Sequence, residues 1–104
     1  MTLPELAQSL NAIYPTRYSH FTSKQKAPFI CYLDEGEENF HADNEAYIEG
    51  TLVSVELYTD AKNLAAERNV KNLFKQREIP YEKGPTIFIE SEGLFLTTFS
   101  IKLI

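Results

Sequence analysis

Apolar and polar side chains alternate along two stretches of the chain, and this two-residue period is what most restricts its fold. In the first stretch, which follows Gly50, apolar side chains recur at Val53, Val55 and Leu57. The second covers about residues 94–103, where one face carries Phe95, Thr97, Phe99, Ile101 and Leu103. A period of two is that of a strand with one face on the core. The chain is therefore predicted to contain a sheet with at least one buried face.

Three further extended segments are predicted around these two stretches. Pro28 introduces a bulky apolar run over residues 29–33, which reads as a buried strand closed by Gly36 and its acidic neighbours. A strand over about residues 85–91 joins the last strand through Ser91-Glu92-Gly93, where Gly93 can take the positive φ of a tight hairpin. The first alternating stretch becomes a strand over residues 47–58. A short extended segment passes through Tyr18 and Phe21 before a polar loop.

Helical spacing appears at two places. Leu3, Leu6, Leu10 and Ile13 predict a helix over residues 3–13, with Thr2 as its cap and Glu5 completing a capping box. A second helix is predicted over about residues 61–77, capped by Asp60, with its apolar stripe at Ala66, Val70, Leu73 and Phe74. In this second helix, Glu67 and Lys71 stand four residues apart and are expected to pair on its outer side.

The predicted fold is α+β, with the order α-β-β-β-α-β-β and two helices on one face of a mainly antiparallel sheet. Residues 1–104 are expected to form one domain, because a chain of 104 residues buries too little surface to divide its core. Cys31 is the only cysteine, so an internal disulfide and a thiolate metal cluster within one chain are both excluded.

Charge is unevenly distributed. The net charge is −5, and the excess lies in residues 1–50, mainly in an acidic segment over residues 34–49 that contains no Lys or Arg. A nucleic-acid or anionic membrane surface would call for a Lys/Arg patch, so proteins are the expected partners. No apolar run reaches the roughly 20 residues needed to cross a bilayer, and the amino terminus lacks the pattern of a signal peptide. We expect a protein made and kept inside a cell.

The sequence offers little for catalysis. His20 and His41 belong to no recognisable triad or metal spacing, and Cys31 stands inside an apolar strand, where a cysteine is usually a small buried hydrophobe. The glycines are isolated, so no phosphate-binding loop is predicted. We expect no enzymatic activity, no cofactor and no small-molecule substrate.

The acidic segment allows three interpretations. Its oxygen-bearing side chains around residues 41–45 could bind Ca²⁺ or Mg²⁺, although their spacing is not that of a calcium loop. Otherwise the segment is a solvated loop, or a loop that contacts a protein. For the last case the candidate contact residues are Glu37, Glu38, Asp43 and Glu45, opposite Lys71 and Lys75 on the second helix. The basic face of that helix could also touch nucleic acid, or simply be solvated.

Four segments resemble one family in their order along the chain. They are Ala27-Pro28-Phe29-Ile30-Cys31-Tyr32, Phe40-His41-Ala42-Asp43-Asn44-Glu45-Ala46-Tyr47, Val55-Glu56-Leu57-Tyr58-Thr59-Asp60-Ala61-Lys62 and Ile89-Glu90-Ser91-Glu92-Gly93-Leu94-Phe95. Together they make about residues 13–104 similar to the small neck proteins of long-tailed phages of Gram-positive bacteria.

This resemblance implies a structural virion protein that completes or terminates the tail, or joins head and tail. Subunits of such proteins form a ring, typically a hexamer, that contacts the tail tube and the head connector. The resemblance implies no catalytic residues and no cofactor, and it places the protein in the virion neck after assembly in the host cytoplasm. The competing interpretation is a small acidic phage-encoded inhibitor or adaptor that binds a host protein by imitating phosphate charge.

Overall fold

The computed structural model describes the backbone of residues 1–42 and 46–103, and the side chains of residues 1–36 and 50–103. Its elements are α1 (Leu3–Asn11), β1 (Thr16–Tyr18), β2 (Phe29–Ala42), β3 (Ala46–Thr59), α2 (Leu64–Gln76), β4 (Tyr81–Ile89) and β5 (Leu94–Leu103). The predicted order and the α+β class are confirmed. Neither described helix has the length and apolar character needed to cross a membrane.

One five-stranded sheet has the strand order β1-β2-β3-β5-β4. β1 runs parallel to β2, and the other neighbouring strands are antiparallel. Leu6 and Leu10 of α1 share one buried cluster with Val70 and Phe74 of α2. Both helices therefore pack against the same face of the sheet.

We call this the helix face, and the strand register determines which side chains lie on it. Ile30 lies opposite Leu57, and Val55 lies opposite Phe99 on the next strand. All four side chains are fully buried. The predicted core faces of β3 and β5 are thus confirmed, because side chains paired across neighbouring strands point to the same side of a sheet.

The cap residue predicted for α1 is confirmed, and the one predicted for α2 is not. At α1, Thr2 and Glu5 form the predicted capping box, although the helix ends at Asn11 rather than residue 13. At α2 the prediction of Asp60 as the cap is wrong. Asn63 is the cap, since its Oδ1 accepts a hydrogen bond from the Ala66 amide at 3.0 Å. An amide side chain at this position satisfies an otherwise unpaired first-turn N–H.

The prediction that Gly36 closes β2 is also wrong. The backbone bulges between Asp34 and Gly36, with φ of Gly36 at +110°, and the β2–β3 pairing then continues to Ala42 and Ala46. Glycine takes this φ without strain, so the hydrogen-bonded pairing of β2 with β3 continues past the bulge instead of ending there. Most of the predicted acidic loop is therefore strand.

The far end of this hairpin projects beyond the rest of the sheet. β5 pairs with β3 only from Thr51 onward, so residues 37–42 and 46–50 pair with each other alone in the described sheet. We call these two stretches the β2–β3 arm. The longest dimension of the molecule is 49 Å, against 27 and 25 Å for the other two.

Candidate functional site

The predicted contact residues fall on two separate elements. Lys71 and Lys75 lie one turn apart on α2, where Lys71 is half-buried and Lys75 is exposed. Glu37 and Glu38 lie in the arm, where their backbones pair with Thr51 and Gly50. The side chains of these two glutamates lie outside the described residues.

Asp43 and Glu45, the remaining predicted contact residues, lie wholly outside the described residues. The position of the arm is therefore known from its backbone, and its acidic character from its sequence. Where the side chains are described at the base of this hairpin, Asp34 and Glu35 are exposed.

Glu67 does not pair with Lys71, contrary to the sequence prediction. It lies between Ala66 and Val70 on the buried side of α2, and only 3% of its surface is exposed. Its two oxygens contact Lys62 Nζ at 2.7 Å and Lys83 Nζ at 3.5 Å. The carboxylate therefore ties α2 to β4 and to the loop before α2.

The environment of Glu67 keeps it ionised. Burial raises the pKa of this carboxyl, but the hydrogen bonds and positive charges of Lys62 and Lys83 outweigh burial, so the pKa is lowered overall. Lys62 also donates to Thr86 Oγ1 at 3.0 Å, and that hydroxyl bonds to Thr97 Oγ1 at 2.7 Å. A charged carboxylate with both oxygens engaged is a structural link rather than a proton donor for catalysis.

Neither described helix lies on the second face of the sheet, which we call the open face. Phe29 lies opposite Tyr58 there, and Cys31 lies opposite Glu56. The Phe29 and Tyr58 rings stack with centroids 4.9 Å apart, and Phe21 from the preceding loop meets Phe29 edge-on at 5.3 Å. The loop thus covers one end of the open face.

A cavity of about 560 Å³ lies between this loop, the open face and the β4–β5 turn. Its lining includes His20, Lys24, Cys31, Tyr58 and Glu92. Burial raises the pKa of the Cys31 thiol to about 11, and the nearby Glu56 contributes to the same effect. Burial likewise raises the pKa of Tyr58. At neutral pH the thiol and the phenol are both protonated, so neither is an activated nucleophile.

The other titratable groups here form no catalytic set. Tyr58 donates a hydrogen bond to Glu56 Oε1 at 3.2 Å, and burial raises the pKa of Glu56. His20 is exposed, and its Nδ1 lies 3.2 Å from Ser19 Oγ. Within the described parts of the chain, no group of three His, Cys, Asp or Glu residues comes together to hold a metal ion. Asp43 and Glu45 of the metal interpretation are not among those parts.

Sequence reasoning missed an apolar site on β4. Ile87 and Phe88 are 51% and 53% exposed, which makes them two of the few large exposed hydrophobic side chains in the described residues. They are adjacent in a strand, so they project from opposite faces of the sheet. The run Ile87-Phe88-Ile89 was the available signal, because a strand that is apolar on both faces requires cover on both faces.

No protein-family model matches this chain, and no curated protein is significantly similar to it.

Proposed function

We propose that this chain is a structural protein of the phage head-to-tail interface, whose subunits form a ring that completes or terminates the tail and joins it to the head connector. The β2–β3 arm carries the proposal. An isolated two-stranded ribbon is marginally stable in water. A small domain that maintains such a projection is suited to contact a neighbouring subunit with it.

The motifs that resemble phage neck proteins fall on structurally distinct places. The segment over residues 40–47 includes the end of β2 and the start of β3, the segment over residues 55–62 covers the end of β3 and the approach to α2, and the segment over residues 89–95 forms the β4–β5 turn. Each is a place where a strand ends or turns. The fourth motif, over residues 27–32, includes the buried Phe29, Ile30 and Cys31 at the start of β2, so the motifs fall both on connections and on a core strand.

A ring also requires two unlike surfaces on each subunit, because a head-to-tail contact repeated around an axis joins different patches. The acidic arm and the basic outer side of α2 provide such a pair. The partners in this proposal are other copies of the chain, arranged as a hexamer, together with tail-tube and head-connector proteins. The proposal involves no specific nucleic acid, membrane or small-molecule substrate, and it places the protein in the virion neck after assembly in the host cytoplasm.

Deletion of the reading frame tests the role directly. We expect heads and tails that form but do not join, or tails of irregular length, in electron micrographs of the deletion mutant. Complementation with the wild-type chain should restore joined particles. Normal, infectious, joined particles in the mutant would refute the proposal.

Charge reversal tests whether the arm is the contact surface. Glu37→Lys with Glu38→Lys should impair joining, because two reversed charges oppose contact with a basic surface. Circular dichroism of the purified variant checks that the monomer is folded. Lys71→Glu with Lys75→Glu in the same chain should partly restore joining if the arm meets α2 of the next subunit. The matched control reverses Glu78 and Glu82, which are exposed and lie outside the arm. Equal effects of control and arm variants would count against this contact.

The inhibitor or adaptor function remains the second candidate, because the acidic residues cluster on one projecting hairpin. It predicts a stable complex of one chain with one host protein and no association between copies. A ring subunit instead associates with itself at high concentration or on the assembling tail. Sedimentation of the purified chain over a wide concentration range separates the two.

A further inference from the structure

The described sheet ends at β1 on one side and at β4 on the other, and the β1 edge is protected. The Thr16 amide donates to Asn11 Oδ1 at 3.0 Å, and the Tyr18 carbonyl accepts from the His20 amide at 2.7 Å. This edge strand is also only three residues long. Proteins usually protect their sheet edges, because unpaired backbone groups can pair with a strand of another chain.

The two halves of the β4 edge differ. In the first half the register with β5 shifts between Lys83 and Thr86, at Gly84-Pro85, and Glu82 and Lys83 are charged. Bulges, prolines and charges all hinder the addition of a strand. The second half, residues 86–89, pairs regularly with β5 and contains no charge and no proline. No strand of the described sheet pairs with its outer side.

The hydrogen bonds between β1 and β2 show which way the backbone groups of the sheet point. The Ile30 amide donates to the Pro15 carbonyl at 2.8 Å, and the Tyr32 carbonyl accepts from the Ser19 amide at 2.8 Å. Even-numbered residues at this end of β2 therefore bond toward β1. Successive residues of a strand direct their N–H and C=O groups to opposite sides, so the odd-numbered residues bond toward β3.

The same alternation continues through the antiparallel registers to β4. Odd-numbered residues at this end of β2 pair with even-numbered residues of β3, so the odd-numbered residues of β3 bond toward β5. Those residues pair with odd-numbered residues of β5, so the even-numbered residues of β5 bond toward β4, where they pair with Ile87 and Ile89. The N–H and C=O groups of Thr86 and Phe88 therefore point outward, away from β5.

We propose that residues 86–88 of two copies of this chain pair with each other, antiparallel, about a two-fold axis at Ile87. In this register Thr86 of each copy lies opposite Phe88 of the other copy. The outward N–H and C=O groups of these two residues then bond to each other across the contact. The axis is perpendicular to the sheet, so the two sheets become continuous and their helix faces lie on the same side.

The side chains at this edge favour a second copy as the occupant. A two-fold contact places each side chain close to its own counterpart, so a charged segment would repel itself. Residues 86–88 are uncharged, and Ile87 and Phe88 are about half exposed on opposite faces. The pairing brings the two Ile87 side chains together on the open face. On the helix face the two Phe88 rings become diagonal neighbours, which is within the reach of aromatic side chains.

This dimer goes beyond the proposed ring. A ring repeats a head-to-tail contact between unlike surfaces, whereas a two-fold contact closes with two copies. Three residues from each copy bury much less surface than a standard protein interface, so the dimer of the free chain is expected to be weak. Covalent trapping is therefore the direct test.

Cysteine substitution traps the contact at a single position. In Ile87→Cys the two thiols face each other at the axis, where opposite Cα atoms of a non-hydrogen-bonded pair lie about 4.5 Å apart, within the range of a disulfide. Phe88→Cys instead faces Thr86 of the other copy. The matched control is Arg17→Cys, an exposed position on the protected edge strand β1. The native Cys31 is buried and its pKa is raised to about 11, so it does not compete.

Under mild oxidation we expect Ile87→Cys to form a disulfide-linked dimer at least tenfold faster than Phe88→Cys and Arg17→Cys, on non-reducing gels. Circular dichroism checks that each variant is folded. Equal rates in all three variants would mean random collision and would overturn the contact. A faster reaction in Phe88→Cys than in Ile87→Cys would place the axis at residue 88 and would overturn the proposed register.

Amide exchange of the wild-type chain gives a second readout at single residues. The Ile87 and Ile89 amides bond to β5 and should be protected in the monomer, whereas the Thr86 and Phe88 amides should exchange rapidly. Raising the chain to millimolar concentration should increase the protection of Thr86 and Phe88. Phe88→Lys, which places two like charges near the axis, should abolish this increase. A wild-type chain that shows no such increase would overturn the dimer.

The outcomes separate this inference from the proposed function, because the dimer is measured on the purified chain. Joined particles from the deletion mutant would refute the role in joining and leave the dimer standing. Equal cross-linking of Ile87→Cys and Arg17→Cys would refute the dimer and leave the role in joining standing.

Discussion

Phe99→Ala removes the aromatic ring at the centre of the packed layers. Phe99 is fully buried on the helix face of β5, opposite Val55 of β3. Its ring meets Phe74 of α2 edge-on, with centroids 5.8 Å apart, and Tyr81 of β4 at 6.0 Å. The substitution therefore leaves a cavity where one helix and three strands of the core converge.

The expected cost is large relative to the stability of the domain. Phe→Ala substitutions in cores cost about 3–5 kcal/mol, and loss of the two aromatic contacts favours the upper half of that range. A domain of this size is stable by about 5–15 kcal/mol. The variant should therefore lose at least about a quarter of its stability, and soluble expression should fall.

Urea denaturation followed by circular dichroism measures the effect. With a slope of about 1.5 kcal/mol per molar, the midpoint should fall by about 3 M. The matched control is Phe88→Ala, which removes the same atoms from a side chain that is 53% exposed. The control should cost about 1 kcal/mol. Equal losses in the two variants would refute the assignment of Phe99 to the centre of the core.

Three further predictions follow from single contacts. Glu67→Gln should destabilise the domain by about 1–3 kcal/mol at pH 7. Because the folded pKa of Glu67 lies below its ordinary value of 4.5, its stabilisation is present above that pH and is lost as pH falls through the lowered pKa, so wild type and variant should converge in acid melts. Cys31, with a pKa of about 11, should react with a thiol reagent at pH 8 only after denaturant unfolds the chain, and rapid native labelling would contradict its burial. Asn63→Ala should cost about 1 kcal/mol, whereas Asp60→Ala should leave the melting temperature unchanged.

The sequence predicted best those features that depend on periodicity. The two-residue period assigned three side chains to the core face, because residues two apart in a strand lie on the same face of a sheet. All three are buried: Val53, Val55 and Leu57. The predicted ends were less accurate. Asp60 and Asn63 are both good capping residues, and only the path of the chain before α2 decides which one receives the amide of the first turn.

Two errors have a common origin in tertiary structure. Gly36 was expected to stop β2, but β3 continues beside it and supports a bulge instead of a turn. Glu67 was expected to pair with Lys71 within α2, but Lys83 of β4 and Lys62 of the preceding loop provide a buried alternative. Local spacing could identify neither arrangement. Lys83 is distant from Glu67 in sequence, and the pairing of β3 beside Gly36 depends on a strand register that the sequence does not specify.

The candidate contact surfaces were predicted only in part. The acidic segment and Lys71 and Lys75 were visible as charges, and the structure adds that most of the acidic segment is a projecting hairpin. The edge at Ile87 and Phe88 was missed because exposure depends on which strand is last in the sheet. Strand order is set by long-range pairing and has no local signature.

The strand order also has a consequence for how the chain folds. β2 and β3 form one hairpin and β4 and β5 form another, while the β3–β5 pairing joins them across the intervening α2. Local hairpins close quickly, whereas contacts between distant residues require a costly loop closure. We expect the pairing of β3 with β5 to form in the rate-limiting step. Val55→Ala should therefore slow folding, whereas substitution of an arm residue by Ala should mainly speed unfolding. Stopped-flow refolding and unfolding of the two variants measure this difference. The folding rate of the whole chain would then depend on the pairing of two strands.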